Sequence, residues 1–164
     1  MAILLKKGIK VLVQGITGRE GSARAGYMKS YGTNVVAGVP PGRGGEQVSG
    51  IPVFNTVAEA VAAQGPMDAS VTFVPGTALK DAVLEALDSD IKFIVSPVER
   101  VPLYDILEMM ADLKKKGARM LGPGSIGIIT PGVAVLGWLG GNLEAARKLF
   151  VPGPVGVISR SGGQ

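Results

Sequence analysis

The stretch Val11-Leu-Val-Gln-Gly-Ile-Thr-Gly-Arg-Glu-Gly21 joins a short apolar run to three glycines at intervals of three residues. The apolar run predicts a buried strand, and the segment from Gly21 to Tyr31, closed by Gly32, predicts a helix. Glycines between a strand and a helix let backbone amides approach a phosphate, which the positive end of the helix dipole also favours. The stretch therefore predicts a phosphate- or nucleotide-binding turn, with a tight strand-to-helix connection as the alternative.

Apolar runs and helical periodicity continue outward from this unit. Strands are predicted at 34–39, 71–75, 93–96 and 119–122, further extended structure at 128–136, and a final strand at 155–159. Helices are predicted from a capping box at Thr56 and Glu59, from the apolar spacing after residue 79, and after Pro102. The helix after Pro102 has a predicted apolar stripe of Leu103, Ile106, Leu107, Met110 and Leu113. Alternating strands and helices, with strands that are continuously apolar, predict a Rossmann-like, doubly wound α/β fold with a mostly parallel sheet and helices on both faces.

Composition limits the chemistry that the chain can perform. Its 164 residues include no cysteine and no histidine, which excludes a disulfide, a zinc site of the common kind and a Ser-His-Asp or Cys-His centre. We therefore predict no catalytic residue and no metal site. The net charge of +4 suits an anionic ligand, whereas aromatic residues at 5% argue against a nucleic-acid surface.

Domain organisation and location follow from length and hydropathy. One domain of ordinary size is expected over residues 1–154, and residues 155–164 read as the start of a truncated second domain. No stretch approaches the roughly 20 apolar residues of a membrane helix, and the amino terminus lacks a secretory core. A soluble, cytoplasmic protein without a membrane partner is expected.

Ligands of open α/β sheets bind beyond the carboxyl ends of the strands, so the loops there hold the candidate site. The second loop carries no acidic residue to bind the ribose of NAD; it carries Arg43, which suits a phosphorylated ribose such as that of NADP or coenzyme A. The fourth loop offers Glu99 as an acceptor, and Val74 and Pro75 follow the third strand. A solvated Arg43 or an exposed Glu99 remains the alternative, and the sequence does not decide whether Trp138 packs internally or faces a partner.

Motifs spread over the chain together carry a family resemblance. They are Gln14-Gly-Ile-Thr-Gly-x-x-Gly21, Tyr31-Gly-Thr33, Gly38-Val-x-Pro41-Gly-x-Gly-Gly45, Gly50-Ile-Pro-Val-Phe-Asn-Thr56, Val74-Pro75, Gly122-Pro123, Ile129-Thr-Pro-Gly132 and Ser159-Arg-Ser-Gly162. In this combination the chain resembles the amino-terminal CoA-binding domain of the α subunit of succinyl-CoA synthetase. The resemblance covers nearly the whole chain and ends where the ligase domain of that family begins.

The resemblance implies a coenzyme, a partner and a set of contacts. The coenzyme is CoA, the partner is a β subunit or β domain of ATP-grasp fold, and the reaction joins a carboxylic acid to CoA through acyl phosphate and phosphohistidine intermediates. The phosphorylated histidine belongs to the second domain, so this chain alone is expected to be inactive. The expected cofactor-binding residues, from the loops and the resemblance together, are Gly15, Thr17, Gly18, Arg19, Glu20, Gly21, Arg43, Val74, Pro75, Pro97, Val98 and Glu99.

Two departures from the family pattern leave the substrate open. Arg43 stands where lysine is usual, and Gly122-Pro-Gly-Ser-Ile-Gly127 replaces a Gly-Pro-Asn-Cys-Pro-Gly motif near the reactive end of the site. The carboxylic acid can therefore be succinate, malate, citrate or another small acid, and the nucleotide ATP or GTP. A free-standing regulatory CoA- or nucleotide-binding module and an NADP-dependent oxidoreductase domain are the alternative functions.

Overall fold

A computed structural model gives the structure of residues 4–40 and 44–159. Its elements are β1 (Lys10–Gln14), α1 (Arg19–Tyr31), β2 (Asn34–Val39), β3 (Gln47–Val48), β4 (Ile51–Pro52), α2 (Val57–Gln64), β5 (Ala69–Thr72), a 3-10 turn (Gly76–Ala78), α3 (Leu79–Asp88), β6 (Phe93–Val95), α4 (Leu103–Lys115), β7 (Arg119–Leu121), β8 (Gly127–Thr130), β9 (Ala134–Gly137) and α5 (Leu143–Leu149). Helices and strands alternate through most of the chain, as the apolar periodicity predicts.

Five parallel strands form the central sheet in the order β2-β1-β5-β6-β7. The chain moves outward to β2 after β1 and then crosses back to β5, so the direction of winding reverses between β1 and β5. Val13 of β1 lies beside Gly38 on one side and Val71 on the other. The crevice at such a reversal is where doubly wound sheets bind their ligands. The predicted fold class is confirmed.

Each face of the sheet packs into its own apolar core. On one face Val11 and Val13 join Met28 of α1, Leu136 of β9 and Ala146 of α5. On the other face Leu12 and Ile94 pack with residues of α2, α3 and α4. The alternate residues of β1 thus serve both cores, which explains why the strand is apolar throughout instead of alternating with polar residues.

Helix α2 begins as its sequence predicts. The Thr56 hydroxyl accepts a hydrogen bond from the Glu59 amide at 3.1 Å. The Glu59 carboxylate turns back and accepts from the amide of Asn55 at 3.0 Å, one residue before the expected partner. The box therefore caps the helix and also fixes the chain that enters it.

The predicted apolar stripe of α4 is wrong in part. Met109 and Leu113 are buried and Ile106 packs against the same core, whereas Leu103, Leu107 and Met110 are exposed by 67%, 55% and 61%. The apolar residues of this helix extend around more of its circumference than α3 and the sheet cover. Periodicity alone cannot distinguish the apolar residues that become buried from those that stay exposed.

The carboxyl-terminal third differs from the prediction in two ways. The expected strand at 155–159 is wrong: the segment lies outside the sheet, with Val155, Val157 and Ile158 exposed by 80%, 87% and 101%. An apolar run forms a strand only beside a partner, and none of the described strands lies next to this one. The extended stretch 128–136 forms the antiparallel hairpin of β8 and β9, and α5 follows it unpredicted. In the described parts of the chain, none of the helices has the length and apolar character required to cross a bilayer.

Candidate functional site

The turn after β1 lies tightly between the ends of two neighbouring strands. Gly15 donates its amide to the Val39 carbonyl at 2.7 Å, at the end of β2. Its φ is 79°, and a Cβ atom there would overlap the carbonyl of Phe73, directly after β5. The backbone at Gly15 therefore occupies the winding reversal itself, and a side chain is excluded on conformational and on steric grounds.

Helix α1 starts against the same turn. Gly18 is its N-cap residue and supplies no side-chain acceptor, so no side chain caps the first-turn amides. The Gly18 amide donates to the Gly15 carbonyl at 3.1 Å, and a Cβ atom at Gly21 would overlap that carbonyl oxygen. The three glycines thus let the positive end of α1 close on the sheet and leave its amides available to an anion.

A cleft of about 220 Å³ opens beside this helix start. Its walls are the ends of β5 and β6, the first turn of α1 and the residue that follows β9. The lining residues are Glu20, Thr72, Phe73, Val74, Pro97, Val98 and Trp138. Apart from Glu20 and Thr72 the lining is apolar or aromatic, which suits the organic part of a ligand whose phosphates lie at the helix.

Hydrogen bonds hold the floor of the cleft in place. The buried Thr72 hydroxyl donates to the Ser96 hydroxyl at 2.9 Å and joins the ends of β5 and β6. The Gly124 amide donates to the Val98 carbonyl at 2.8 Å and ties the loop after β7 to the loop after β6. These hydrogen bonds therefore connect the end of β5 with the loops after β6 and β7.

The loop after β2 is anchored on both sides of the residues that the structure omits. Phe54 donates its amide to the Gly38 carbonyl at 2.9 Å, and Gly44 donates its amide to the Asn55 side-chain oxygen at 2.9 Å. Arg43 lies outside the described residues. On the amino-terminal side of it, Val39 accepts the Gly15 amide and so lies beside the glycine turn.

The structure brings most of the predicted site residues to one edge of the sheet. Glu20, Val74, Pro97 and Val98 line the cleft. Residues Gly15, Thr17, Gly18, Arg19 and Gly21 form the turn and the helix start beside it, and Pro75 and Glu99 follow lining residues but are exposed themselves. The residues predicted by loop position therefore lie together at the carboxyl-terminal edge of the sheet.

Three lining residues do not belong to the predicted set. Thr72 and Phe73 come from the end of β5, one and two residues before Val74. Trp138 comes from the far side of the hairpin and meets the cleft only because β9 packs on α1. Its ring lies under the Arg24 guanidinium, 4.8 Å from carbon to ring centroid. The i, i+4 spacing of Glu20 and Arg24 was a usable signal for their 3.4 Å ion pair, but nothing in the sequence indicates the tryptophan contact.

A second cavity lies at the opposite edge of the sheet. It measures about 380 Å³ and is lined by residues before β1 and β5, among them Lys6 and Asp68, and by Phe93, the first residue of β6. This is the amino-terminal edge, away from the winding reversal and from the start of α1. We therefore take the smaller cleft as the candidate site.

Sheet order, glycine turn and cleft together define a Rossmann-like domain of the doubly wound class, a class that binds its ligands beyond the carboxyl ends of the strands. The family model for the CoA binding domain matches residues 6–99. The chain belongs to this CoA-binding domain family, and the resemblance predicted from its motifs is confirmed.

Sequence relatives agree with the family. The α subunit of the ADP-forming succinate–CoA ligase of Aquifex aeolicus is 48% identical over 165 residues, which cover 99% of this chain and 52% of the relative. The α subunit of the malate–CoA ligase of Methylorubrum extorquens is 43% identical over 166 residues, which cover 99% and 54%. The chain thus spans about half the length of these curated relatives.

A solved structure shares the fold over nearly the whole chain. ATP citrate lyase from Methanothrix soehngenii, in complex with citrate and coenzyme A, superposes with a TM-score of 0.82 at 27% identity. The match covers 98% of this chain and 28% of that one. Hence the predicted fold and the predicted coenzyme are both supported by a protein whose CoA complex is known.

Proposed function

We propose that this chain is the CoA-binding domain of the α subunit of a nucleoside-diphosphate-forming acid–CoA ligase of the succinyl-CoA synthetase type. The observation that carries the proposal is the glycine turn. Gly15 and Gly21 leave no room for a Cβ atom, so α1 begins directly against the winding reversal, and its first-turn amides carry no side-chain cap. A pyrophosphate with an organic group on either side is the kind of ligand that such an edge accepts.

The residues of this edge fit CoA part by part. The uncapped first-turn amides of α1 suit its pyrophosphate, and the apolar wall of Val74, Pro97 and Val98 suits its adenine ring or pantetheine arm. When bound, CoA supplies the thiol that accepts the acyl group. The proposed contact residues are Gly15, Thr17, Gly18, Arg19, Glu20, Gly21, Arg43, Val74, Pro75, Pro97, Val98 and Glu99.

Arg43 is the proposed contact for the 3′-phosphate of CoA. Support comes from its position in the sequence a few residues after Val39, which accepts the Gly15 amide and so lies beside the glycine turn. A guanidinium is planar and grips a phosphate with two parallel hydrogen bonds. Dephospho-CoA lacks this phosphate and therefore isolates the contribution of Arg43.

The whole enzyme is proposed from the relatives, of which this chain spans about half. An ATP-grasp β subunit would provide the nucleotide site, and a small carboxylic acid would be the second substrate. The chain contains no histidine, so the phosphohistidine of this reaction would belong to a further domain. We propose that residues 1–154 act as the CoA-binding domain, that residues 155–164 lead into the next one, and that the chain alone is inactive. The cytoplasmic location remains a prediction.

Isothermal calorimetry with three ligands tests the proposal. The chain is titrated with CoA, with dephospho-CoA and with NADP under identical buffer conditions. We expect saturable binding of CoA, weaker binding of dephospho-CoA and the weakest binding of NADP. Equal affinity for CoA and dephospho-CoA would remove the role of Arg43, and preference for NADP would overturn the function itself.

A further inference from the structure

We propose that Trp138 is a coenzyme-contacting residue, whose indole ring forms one wall of the cleft and packs against bound CoA. This inference rests on the proposed function, because it assumes that CoA occupies the cleft. Trp138 lies outside the residues that loop position and family resemblance assign to the site. It meets the cleft from the hairpin on the other side of α1, so its role depends on packing that only the structure reveals.

The backbone around Trp138 is fixed on both sides. Its amide donates to the Ile126 carbonyl at 3.0 Å, and its own carbonyl accepts from the Gly141 amide at 3.0 Å. Immediately after it, the Leu139 carbonyl accepts the hydroxyl of Tyr27, which lies on α1. The indole is thus held by a structured turn, in contrast to a side chain on a free loop.

Helices α1 and α5 both contact the turn that holds Trp138. Gly137, just before Trp138, donates its amide to the Met28 sulfur at 3.4 Å. Gly140 lies so close to Ala146 of α5 that a Cβ atom there would stand 2.7 Å from the Ala146 Cβ. Helix α1 begins at the glycine turn of residues 15–21. The indole and that turn are therefore both attached to α1.

Arg24 orients the ring. Its guanidinium carbon lies 4.8 Å from the ring centroid, within the range of a cation–π contact. The Arg24 Nε atom is buried and has no hydrogen-bond partner among the described residues, and the Glu20 carboxylate lies 3.4 Å from it. Arg24 therefore contacts both the Glu20 carboxylate in the first turn of α1 and the indole ring.

The chemistry of the cleft favours an organic ligand group against the ring. Trp138 is only half-buried, and its neighbours across the cleft are Phe73, Val74 and Val98. A flat group inserted here would remove apolar surface from water on both of its sides. Adenine is such a flat group, whereas the pantetheine arm would pack its methyl and methylene groups against the ring, and the ligands used below separate the two.

Intrinsic fluorescence tests the contact directly, because Trp138 is the only tryptophan in the chain. Emission is followed while CoA is added, and calorimetry on the same sample reports binding independently. We expect a saturable change in emission with the same midpoint as the calorimetric curve. Adenosine 3′,5′-bisphosphate reproduces the change if adenine meets the ring, and pantetheine does so if the arm meets it.

Three results would overturn the inference, and they differ in whether the proposed function also falls. Calorimetric binding of CoA without any change in emission rejects the contact and leaves the proposed function standing. Absence of CoA binding in calorimetry rejects both together. A change in emission that fails to saturate with binding also rejects the contact, since it would report collisional quenching.

Variants give a second readout that does not depend on fluorescence. We expect Trp138→Ala to weaken CoA binding about tenfold, the scale of one lost aromatic stacking contact, and Trp138→Phe to retain most of the affinity. Tyr104→Ala is the control, because Tyr104 is an aromatic residue on α4 with 81% exposure. Circular dichroism verifies that each variant folds. Unchanged affinity in a folded Trp138→Ala chain would contradict the inference.

Discussion

A Cβ atom at Gly21 would overlap the carbonyl oxygen of Gly15, so α1 closes on the end of β1 only where the side chain is a hydrogen. This close approach joins fold and site. It brings the positive end of α1 to the winding reversal of the sheet and leaves its first amides without a side-chain cap.

Gly21→Ala is the first prediction. Since the clash is with backbone, the added methyl must displace α1, and we expect a loss of about 1–3 kcal/mol in the free energy of unfolding together with weaker CoA binding. Gly26→Ala in the same helix is the control, because its Cβ atom would meet only the Ser49 hydroxyl oxygen at 3.4 Å. The control should be neutral or slightly stabilising, by up to about 1 kcal/mol. Urea unfolding checks both, and equal effects would contradict the steric account.

Gln14→Leu is the second prediction. The buried Gln14 amide donates to the Ala82 carbonyl at 2.8 Å, and its oxygen accepts the Ser70 hydroxyl at 2.8 Å. Removing it leaves the Ser70 hydroxyl buried without its acceptor, which we expect to cost about 1–3 kcal/mol of stability. The double variant Gln14→Leu with Ser70→Ala should recover part of that loss. Additive effects in denaturant unfolding would show that the two side chains are not coupled.

Tyr27→Phe is the third prediction and depends on pH. Burial raises the pKa of Tyr27, with the charge of a Tyr31 phenolate as a second cause, so the folded state favours the neutral phenol. The stabilisation by its hydroxyl, about 1 kcal/mol, is therefore present below about pH 10 and is lost as pH rises above it. The difference in unfolding free energy between the parent chain and Tyr27→Phe should shrink in that range. Tyr104→Phe, at an exposed site, should show no such difference, and a pH-independent effect of Tyr27→Phe would contradict the assignment.

Arg43→Gln is the fourth prediction. Loss of a charged phosphate contact should weaken CoA binding roughly tenfold or more and leave the affinity for dephospho-CoA unchanged. Arg119→Gln provides the same change of charge at the exposed amino-terminal end of β7 and should affect neither ligand. Calorimetry with both ligands measures all four affinities. An equal loss for CoA and dephospho-CoA would assign Arg43 a general electrostatic effect in place of the 3′-phosphate contact.

Local sequence patterns predicted the sheet and its helices because the strands are apolar on both faces and helices such as α1 and α2 end at a glycine. They also predicted that the candidate residues lie at one edge of the sheet, since Gly15 and Gly21 belong to a single strand–turn–helix unit. What they could not predict depends on contacts between distant parts of the chain. The exposed Leu107 and Met110 of α4 carry the same periodicity as a buried stripe, and only the extent of α3 separates the two cases.

Trp138 illustrates the limit for the site. Its place in the cleft follows from β9 packing on α1. Just after α1, Thr33 donates its hydroxyl to the Val135 carbonyl at 2.8 Å and accepts from the Val135 amide at 3.0 Å. These partners are separated by 102 residues, and no local pattern encodes their pairing. The failed strand at 155–159 has the same cause, because an apolar run becomes a strand only beside a partner.

Hydrogen exchange of the chain with and without CoA tests most directly whether the coenzyme lies at the carboxyl-terminal edge of the sheet. The account predicts slower exchange at residues 15–21, 73–76 and 97–99 when CoA is bound, and no change around Lys6, Gly8 and Asp68 at the opposite edge. Protection confined to that opposite edge, or none in the glycine turn despite saturating CoA, would contradict it.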